Sequence, residues 1–436
     1  MLSSLAGFIW NPLLSLIYIE LGLLFLAVTG MLALRRTMPH FLRHHPFSHA
    51  SGDNTRNIGH GEGFFAALAT SIGVGNLAGV GTALHLGGPG ALFWMWVSAL
   101  LGMSFRMAST YMALRYQPAD SHDLAFGTPM AYLQRAGRGF WRFLPTAFAG
   151  LIVANGLVAA NMIQANSVAH AMEEDLGLSH GIVAVLLAGL VGLVIIGGLK
   201  NILKVSAWIA PWMAVTYVIL AVVILALEPA RCLAALAEVF RHALEPYSAA
   251  GGLAGYTVLE SLQYGISRGV FSHGSGIGMA PFLHAANRDH PIHGSMMAAM
   301  IPVVDTLVVC TATGLVLLSS GLWIEHTGAY LTVTAFQQGL GMTGRVIVTI
   351  FLIVFAFTTM INWSYLSERC YLYLGGRNTT AFRWVFVAVA FAGPFLPVAS
   401  VWSLGDLLIA GLLLVHLLPL TGLLLRHARR LRNDLA

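Results

Sequence analysis

The sequence is short of charge. Asp, Glu, Lys and Arg make up 9% of its 436 residues while 57% are hydrophobic, against roughly 25% charged in an average soluble domain. That scarcity excludes a soluble globular fold. Cysteine is scarce too: Cys232, Cys310 and Cys370 are an odd number at wide spacing, which argues against a disulfide framework or a zinc module and leaves packing as their role. No Ser/Pro-rich linker or polar block divides the chain, so residues 1–436 read as a single membrane domain. Catalytic signatures are missing as well. Gly274-Ser275-Gly276 echoes a hydrolase turn but lacks the G-x-S-x-G pattern and its strand-turn-helix setting, so an enzyme and an enzyme cofactor are not expected.

What is abundant is apolar sequence in long runs. Stretches of the length that crosses a bilayer fall near 13–35, 62–86, 91–114, 144–170, 181–199, 205–227, 254–285, 294–319, 345–367, 382–399 and 402–425. The first has no basic residue before it and Arg35-Arg36 directly after it, the reverse of a cleaved signal peptide, so it is expected to stay as a helix with its N-terminus outside. In that orientation all but five of the 23 Lys and Arg residues fall in cytoplasmic loops or the C-terminal tail. Arg231, Arg241 and Arg345 are left outside, and Arg106 and Arg268 fall within spans. The asymmetry predicts an odd number of spans, about eleven, in a multi-pass protein of the plasma (inner) membrane with a cytoplasmic C-terminus. The net charge of +5 is therefore a topology signal and not a nucleic-acid footprint.

Two spans are interrupted by small residues: the second by SIGVGNLAGVG and the seventh by FSHGSGIGMAP. Glycine costs a helix interior about 1 kcal/mol relative to alanine, so packing or function has to offset it. Setting the first helix aside, the breaks occupy matching places in two five-span groups, 62–227 and 254–425, which enter the membrane in opposite senses. Paired broken helices in inverted halves point to a secondary transporter's binding site. Unwound backbone in a membrane is tolerable where it lines a polar cavity or meets a ligand: carbonyls there can hold a cation, and free amides at a half-helix start can hold a carboxylate. The alternative is that GxxxG spacing, as from Gly75 to Gly79, only packs two helices closely. That accounts for one such helix but not for two at matching places. A dinucleotide fold is excluded because these glycines follow a membrane span and not a strand.

The motifs IGVGNLAGVGTALHLGGPGALFWMWVSALLGM, GTPMAYL, QANSVA, SRGVFSHGSGIGMAP, DTLVVCTATGLV and NWSYLSERC, in this order, resemble the alanine/glycine:cation symporter family. The resemblance implies an all-α membrane protein of the leucine-transporter superfamily, a five-plus-five inverted repeat with one extra N-terminal helix. It implies uptake of a small neutral amino acid coupled to sodium, or in some members protons. The substrate set it implies is Ser71, Gly73, Gly75, Asn76, Gln164, Phe271, Ser272, His273, Gly276 and Trp363. Sodium is expected at the carbonyls of Ala69 and Ile72 with the hydroxyls of Thr358 and Thr359, an all-oxygen set suited to a hard cation. Departures from the family pattern are Val74 for threonine, His273-Gly274 for asparagine-glutamate and Ala131-Tyr132 for double tyrosine. They leave a second hypothesis, a sensor or channel-like protein on the same fold with altered substrate or proton coupling.

Other polar residues carry alternatives. Asn161 and Gln164 share a helix face; Gln164 is assigned to the site and Asn161 to an interhelical hydrogen bond. Of the acidic residues Glu260, Asp305, Glu368 and Asp406, Asp305 is expected to serve structure or an ion path, and Glu368 to pair with Arg369. An imidazole at a break makes His273 a candidate group for titration near neutral pH, with transport expected to fall as the ring becomes charged; the alternative is a neutral, hydrogen-bonded ring. His40, His44, His45 and His49 have metal-compatible spacing but lack cysteines and an ordered helix.

Overall fold

The structure, a computed structural model, describes residues 2–29, 31–43, 60–120, 122–136, 139–245, 247–248, 255–284 and 291–435. Helices dominate because backbone polar groups in lipid need partners within their own segment. Among the described residues the one extended pairing is a two-residue ladder, Tyr247–Ser248 with Gly255–Tyr256. Seven described helices are long and apolar enough to cross a membrane. The pair Gly63–Ser71 and Val74–Gly87, bent by 56°, makes an eighth, and His180–Ile195 and Thr379–Phe395 are shorter apolar helices. Helix Gly90–Arg115 is the centre of the packing: 72% of its apolar window is buried, against 28% for Leu199–Leu227, which turns most of its surface outward.

In the first interruption, helix His60–Ser71 ends, a tight turn occupies Val74–Asn76, and helix Ala78–Gly87 follows. In the second, helix Val258–His273 stops at Gly274, whose φ of 60° is left-handed. Gly276 and Gly278 follow at φ 93° and 81°, before the short helix Pro281–His284. A side chain in the left-handed region costs roughly 1–2 kcal/mol, which is why glycine holds these positions. The start of this span is capped: Thr257 Oγ1 accepts from the Glu260 amide (3.1 Å), and Glu260 Oε2 accepts from the Thr257 amide (2.8 Å).

Several boundaries differ from the sequence expectation. The first apolar run, expected over 13–35, forms Pro12–Thr29 followed by a separate helix Met31–Arg43. The ninth span is the inner part of a 46-residue helix, Gly328–Tyr373, kinked at Gly341. Helix Pro229–Leu244 falls between the expected spans 205–227 and 254–285; it buries Ala235, Val239 and Ala243 on one side only, so a search for fully apolar runs passes over it. It lies against Gly90, where a Cβ would come 2.1 Å from the His242 carbonyl oxygen. Glu368 pairs with Arg383 (2.6 and 2.7 Å) and not with Arg369, which donates instead to the Leu124 carbonyl (3.1 Å). Sequence neighbours on a helix do not face one another, which explains the exchange of partners. His40 meets His293 (2.8 Å); His44, His45 and His49 lie outside the described residues.

Candidate functional site

A cavity of about 30 Å³ lies between the two breaks. Ser71, Gly73 and Gly75 line it from the first break, Phe271, Ser272 and Gly274 from the second, and Asn155, Gln164, Thr359 and Trp363 from the surrounding helices. Seven of the ten expected substrate residues meet there; Asn76, His273 and Gly276 are not part of its wall. The glycines permit the approach. A Cβ on Gly73 would stand 2.6 Å from Thr359 Oγ1 and 2.9 Å from Gln164 Oε1, and one on Gly75 would stand 2.9 Å from Phe271 Cδ1.

The backbone groups freed by unwinding are mostly claimed. The Gly73 amide donates to Asn76 Oδ1 (2.9 Å), the Val74 amide to Gln164 Oε1 (3.0 Å) and the Asn76 amide to the Gly73 carbonyl (3.1 Å). The Gly75 amide has no acceptor among the described residues. Gln164 is aimed by a π-helical turn, Val158–Met162, just before it, and its Nε2 donates to the Ala159 carbonyl at 3.3 Å. Beside these amides, Thr359 Oγ1 lies 2.9 Å from the Ile72 carbonyl and 3.4 Å from the Ala69 carbonyl. Those three oxygens are a donor set that fits a hard cation. Thr358 stands apart from them: its hydroxyl donates to the Phe355 carbonyl (3.2 Å) and faces Met213 Sδ at 3.7 Å. Adjacent helix positions point about 100° apart, so one threonine faces the break and the other the neighbouring helix.

Two buried charges hold the breaks together. Arg106, 1% exposed, donates from Nη2 to Ser71 Oγ (2.9 Å) and to the His273 carbonyl (2.5 Å). Both acceptors end half-helices, so the guanidinium sits at two negative dipole ends. The Asp305 carboxylate accepts from Asn76 Nδ2 (2.9 Å), Ser272 Oγ (2.7 Å) and Thr306 Oγ1 (2.7 Å), again joining one break to the other. Asn76 and Asp305 therefore shape the site without lining it.

His273 has a similar structural role. Its Nδ1 accepts from the Ser275 amide (3.0 Å), which leaves Nε2–H to donate to Ser98 Oγ (3.1 Å). Both ring nitrogens are used by the neutral tautomer. His273→Asn is therefore expected to lower the melting temperature, in line with about 1–3 kcal/mol for unsatisfied buried partners. It should leave the pH profile of uptake between about 5 and 8 unchanged; parallel melting curves and uptake assays check both. Gly276 is tied elsewhere: its carbonyl accepts from His416 Nδ1 (2.5 Å), and His416 Nε2 accepts from Tyr132 Oη (2.5 Å).

Phe271, in the cavity wall, belongs to a stack. Phe271 lies on Trp402 with ring centroids 4.8 Å apart, and the Arg268 guanidinium lies 4.9 Å over Trp402. Arg268 binds both oxygens of Asp406, at 2.9 and 2.8 Å, joining helix Val258–His273 to helix Val398–Leu435.

Residues 1–434 match the model of the sodium:alanine symporter family. The chain belongs to this family. The sodium/alanine symporter AgcS of Methanococcus maripaludis is 36% identical over an alignment of 443 positions, covering 98% of this chain and 96% of that protein. The sodium/proton-dependent alanine carrier protein YrbD of Bacillus subtilis, so described as putative, is 29% identical over 93% of this chain and 86% of its own length. The crystal structure of MhsT in complex with L-phenylalanine superposes with a TM-score of 0.56 at 11% identity, covering 88% of this chain and 100% of that one, which establishes the leucine-transporter fold. For this member of the sodium:alanine symporter family the departure at Gly274 has a local reason. A Cβ there would meet Met279 Sδ at 2.1 Å in a left-handed backbone. Gly274→Glu is expected to destabilise the protein by about 1–3 kcal/mol, read as a lowered melting temperature.

Sequence reading missed two participants. Asn155 is 1% exposed and lines the cavity, and its Oδ1 has no hydrogen-bond partner among the described residues. A single amide inside an apolar span was its only signal. Arg106 was noticed as an intramembrane charge but not placed at the breaks. Asn161 makes an interhelical hydrogen bond to the Phe386 carbonyl at 2.8 Å.

Proposed function

We propose that this protein imports small neutral amino acids of the alanine and glycine type by sodium-coupled symport through alternating access. One observation carries the reading: the first break holds both an amide without an acceptor among the described residues, that of Gly75, and the gathered Ile72, Ala69 and Thr359 oxygens, and Gly75 and Thr359 line one cavity. The substrate carboxylate takes the Gly75 amide, aided by the following half-helix dipole, and the ammonium group takes the bare Asn155 Oδ1. Sodium takes the carbonyls and the Thr359 hydroxyl. Because the two ligands share one unwound segment, each stabilises the geometry the other needs, which is the physical basis of coupling. The small cavity, pressed by Phe271 and Trp363, supports a substrate with a small side chain.

In this reading the eight spans, the two shorter apolar helices and the second broken helix make eleven crossings. Residues 62–227 and 254–425 form the two inverted repeats, and the first helix stands outside them. The N-terminus faces outward and the C-terminus the cytoplasm of the plasma (inner) membrane. The Phe271–Trp402–Arg268 stack then closes the outward side, and separating Arg268 from Asp406 opens it. Arg268→Ala is expected to reduce uptake on the order of tenfold or more, because the buried Asp406 carboxylate loses its bidentate partner; initial uptake rates check it.

Binding tests the reading before transport does. Alanine is expected to raise the melting temperature of the purified protein in sodium buffer and to have no effect in potassium buffer. Equal stabilisation in both would favour a sensor without sodium coupling.

A further inference from the structure

We propose that His170, Glu173 and His180 form a binding site for a zinc-type transition-metal cation, separate from the sodium and amino-acid site. Their ligand atoms lie within 4.8 Å of one another. His180 Nε2 is 2.8 Å from Glu173 Oε2, and the two imidazole rings meet edge to face with centroids 4.5 Å apart. The sequence folds to bring them together. His170 and Glu173 are three apart on helix Ile163–Leu176 and so share a face. Gly177, at φ 66°, then turns the chain so that His180 opens the next helix against them.

The nitrogens are prepared for a ligand. His170 Nε2 is buried with no hydrogen-bond partner among the described residues, whereas buried polar atoms are nearly always paired; His180 Nε2 meets the Glu173 carboxylate instead. The His170 ring lies near the Leu396 carbonyl, which accepts from Asn166 Nδ2 at 2.8 Å. The unpartnered Nε2 of His170 is left for the cluster that it forms with Glu173 and His180.

Two imidazoles and one carboxylate with an open fourth position suit zinc, copper or nickel, and not sodium, calcium or magnesium, which prefer oxygen alone. Glu173 is 55% exposed, so the cation has an entry path. The neighbouring Asp175 is already paired with Arg345 at 2.7 Å and is not a ligand. A bound cation would pin the end of the helix carrying Gln164 to the next helix and to the Leu396 turn.

The test uses the full-length, tag-free protein in detergent after chelator treatment, titrated with zinc chloride by calorimetry. Wild type is expected to bind one equivalent saturably, with no heat from magnesium chloride. The His170→Ala/His180→Ala double variant, left with one carboxylate of the three donors, should show no saturable zinc binding. Glu173→Gln, at an exposed position, repeats the test without disturbing the packing, and its affinity should fall in the same direction. Absence of saturable zinc binding in wild type, or unchanged affinity in the Glu173→Gln and double variants, overturns the assignment.

Discussion

Replacing Gly75 with leucine is expected to abolish alanine binding and uptake while leaving a folded protein. The Cβ alone would stand 2.9 Å from Phe271 Cδ1 and 3.3 Å from the Ser272 backbone, so the rest of the side chain has to fill the cavity between the breaks. Overpacking of this kind costs about 1–3 kcal/mol, and the substrate additionally loses its place at the amide. A fall in affinity of roughly a hundredfold or more follows, since each 1.4 kcal/mol is about tenfold. The measurement is substrate-induced thermal stabilisation in sodium buffer. A variant that melts cooperatively and shows the full alanine shift would place the carboxylate elsewhere.

The second large effect concerns the cation. Thr359→Val removes one of the three oxygens gathered at the first break, while Thr358→Val removes a hydroxyl that serves its own helix. Replacing one hard oxygen ligand by a methyl group leaves the ion under-coordinated. The sodium concentration for half-maximal uptake is expected to rise about tenfold or more in Thr359→Val, an effect of roughly 1.4 kcal/mol. In Thr358→Val it should change less than about threefold, because loss of a local helix hydrogen bond is a small term. Sodium titrations of initial uptake compare the two. Equal responses would mean that the ion contacts both threonines.

How much of this was legible in the sequence depends on the kind of signal. The breaks were legible because glycine inside a twenty-residue apolar run contradicts its surroundings, and Gly73, Gly75 and Gly274 occupy positions where a side chain collides. The convergence of Ser71, Gln164, Phe271 and Trp363 on one cavity follows from the family resemblance, and helix spacing alone would not have paired residues so far apart in sequence. Arg106 was legible as a cost, a charge in a span, but its partners are a hydroxyl and a carbonyl on two different half-helices, and no local pattern encodes that. Asn155 shows in the sequence only as an amide inside an apolar span, and nothing local says that it lines a cavity. Glu368 shows the opposite error: adjacency in sequence suggested Arg369, while helix geometry directs it to Arg383. Helix Pro229–Leu244 escaped because its apolar face is one-sided, so hydropathy averaged over a window dilutes it.

The central claim is that an amino acid and sodium cross together through a site at the first break. Its most direct test is uptake of labelled alanine and glycine into proteoliposomes holding the purified protein, under an inward sodium gradient and under matched potassium and proton gradients. The account predicts concentrative uptake driven by sodium alone, abolished in Gly75→Leu and shifted to higher sodium in Thr359→Val. Uptake of equal rate and extent under every gradient, or none at all from a protein whose melting temperature still responds to alanine, would contradict it.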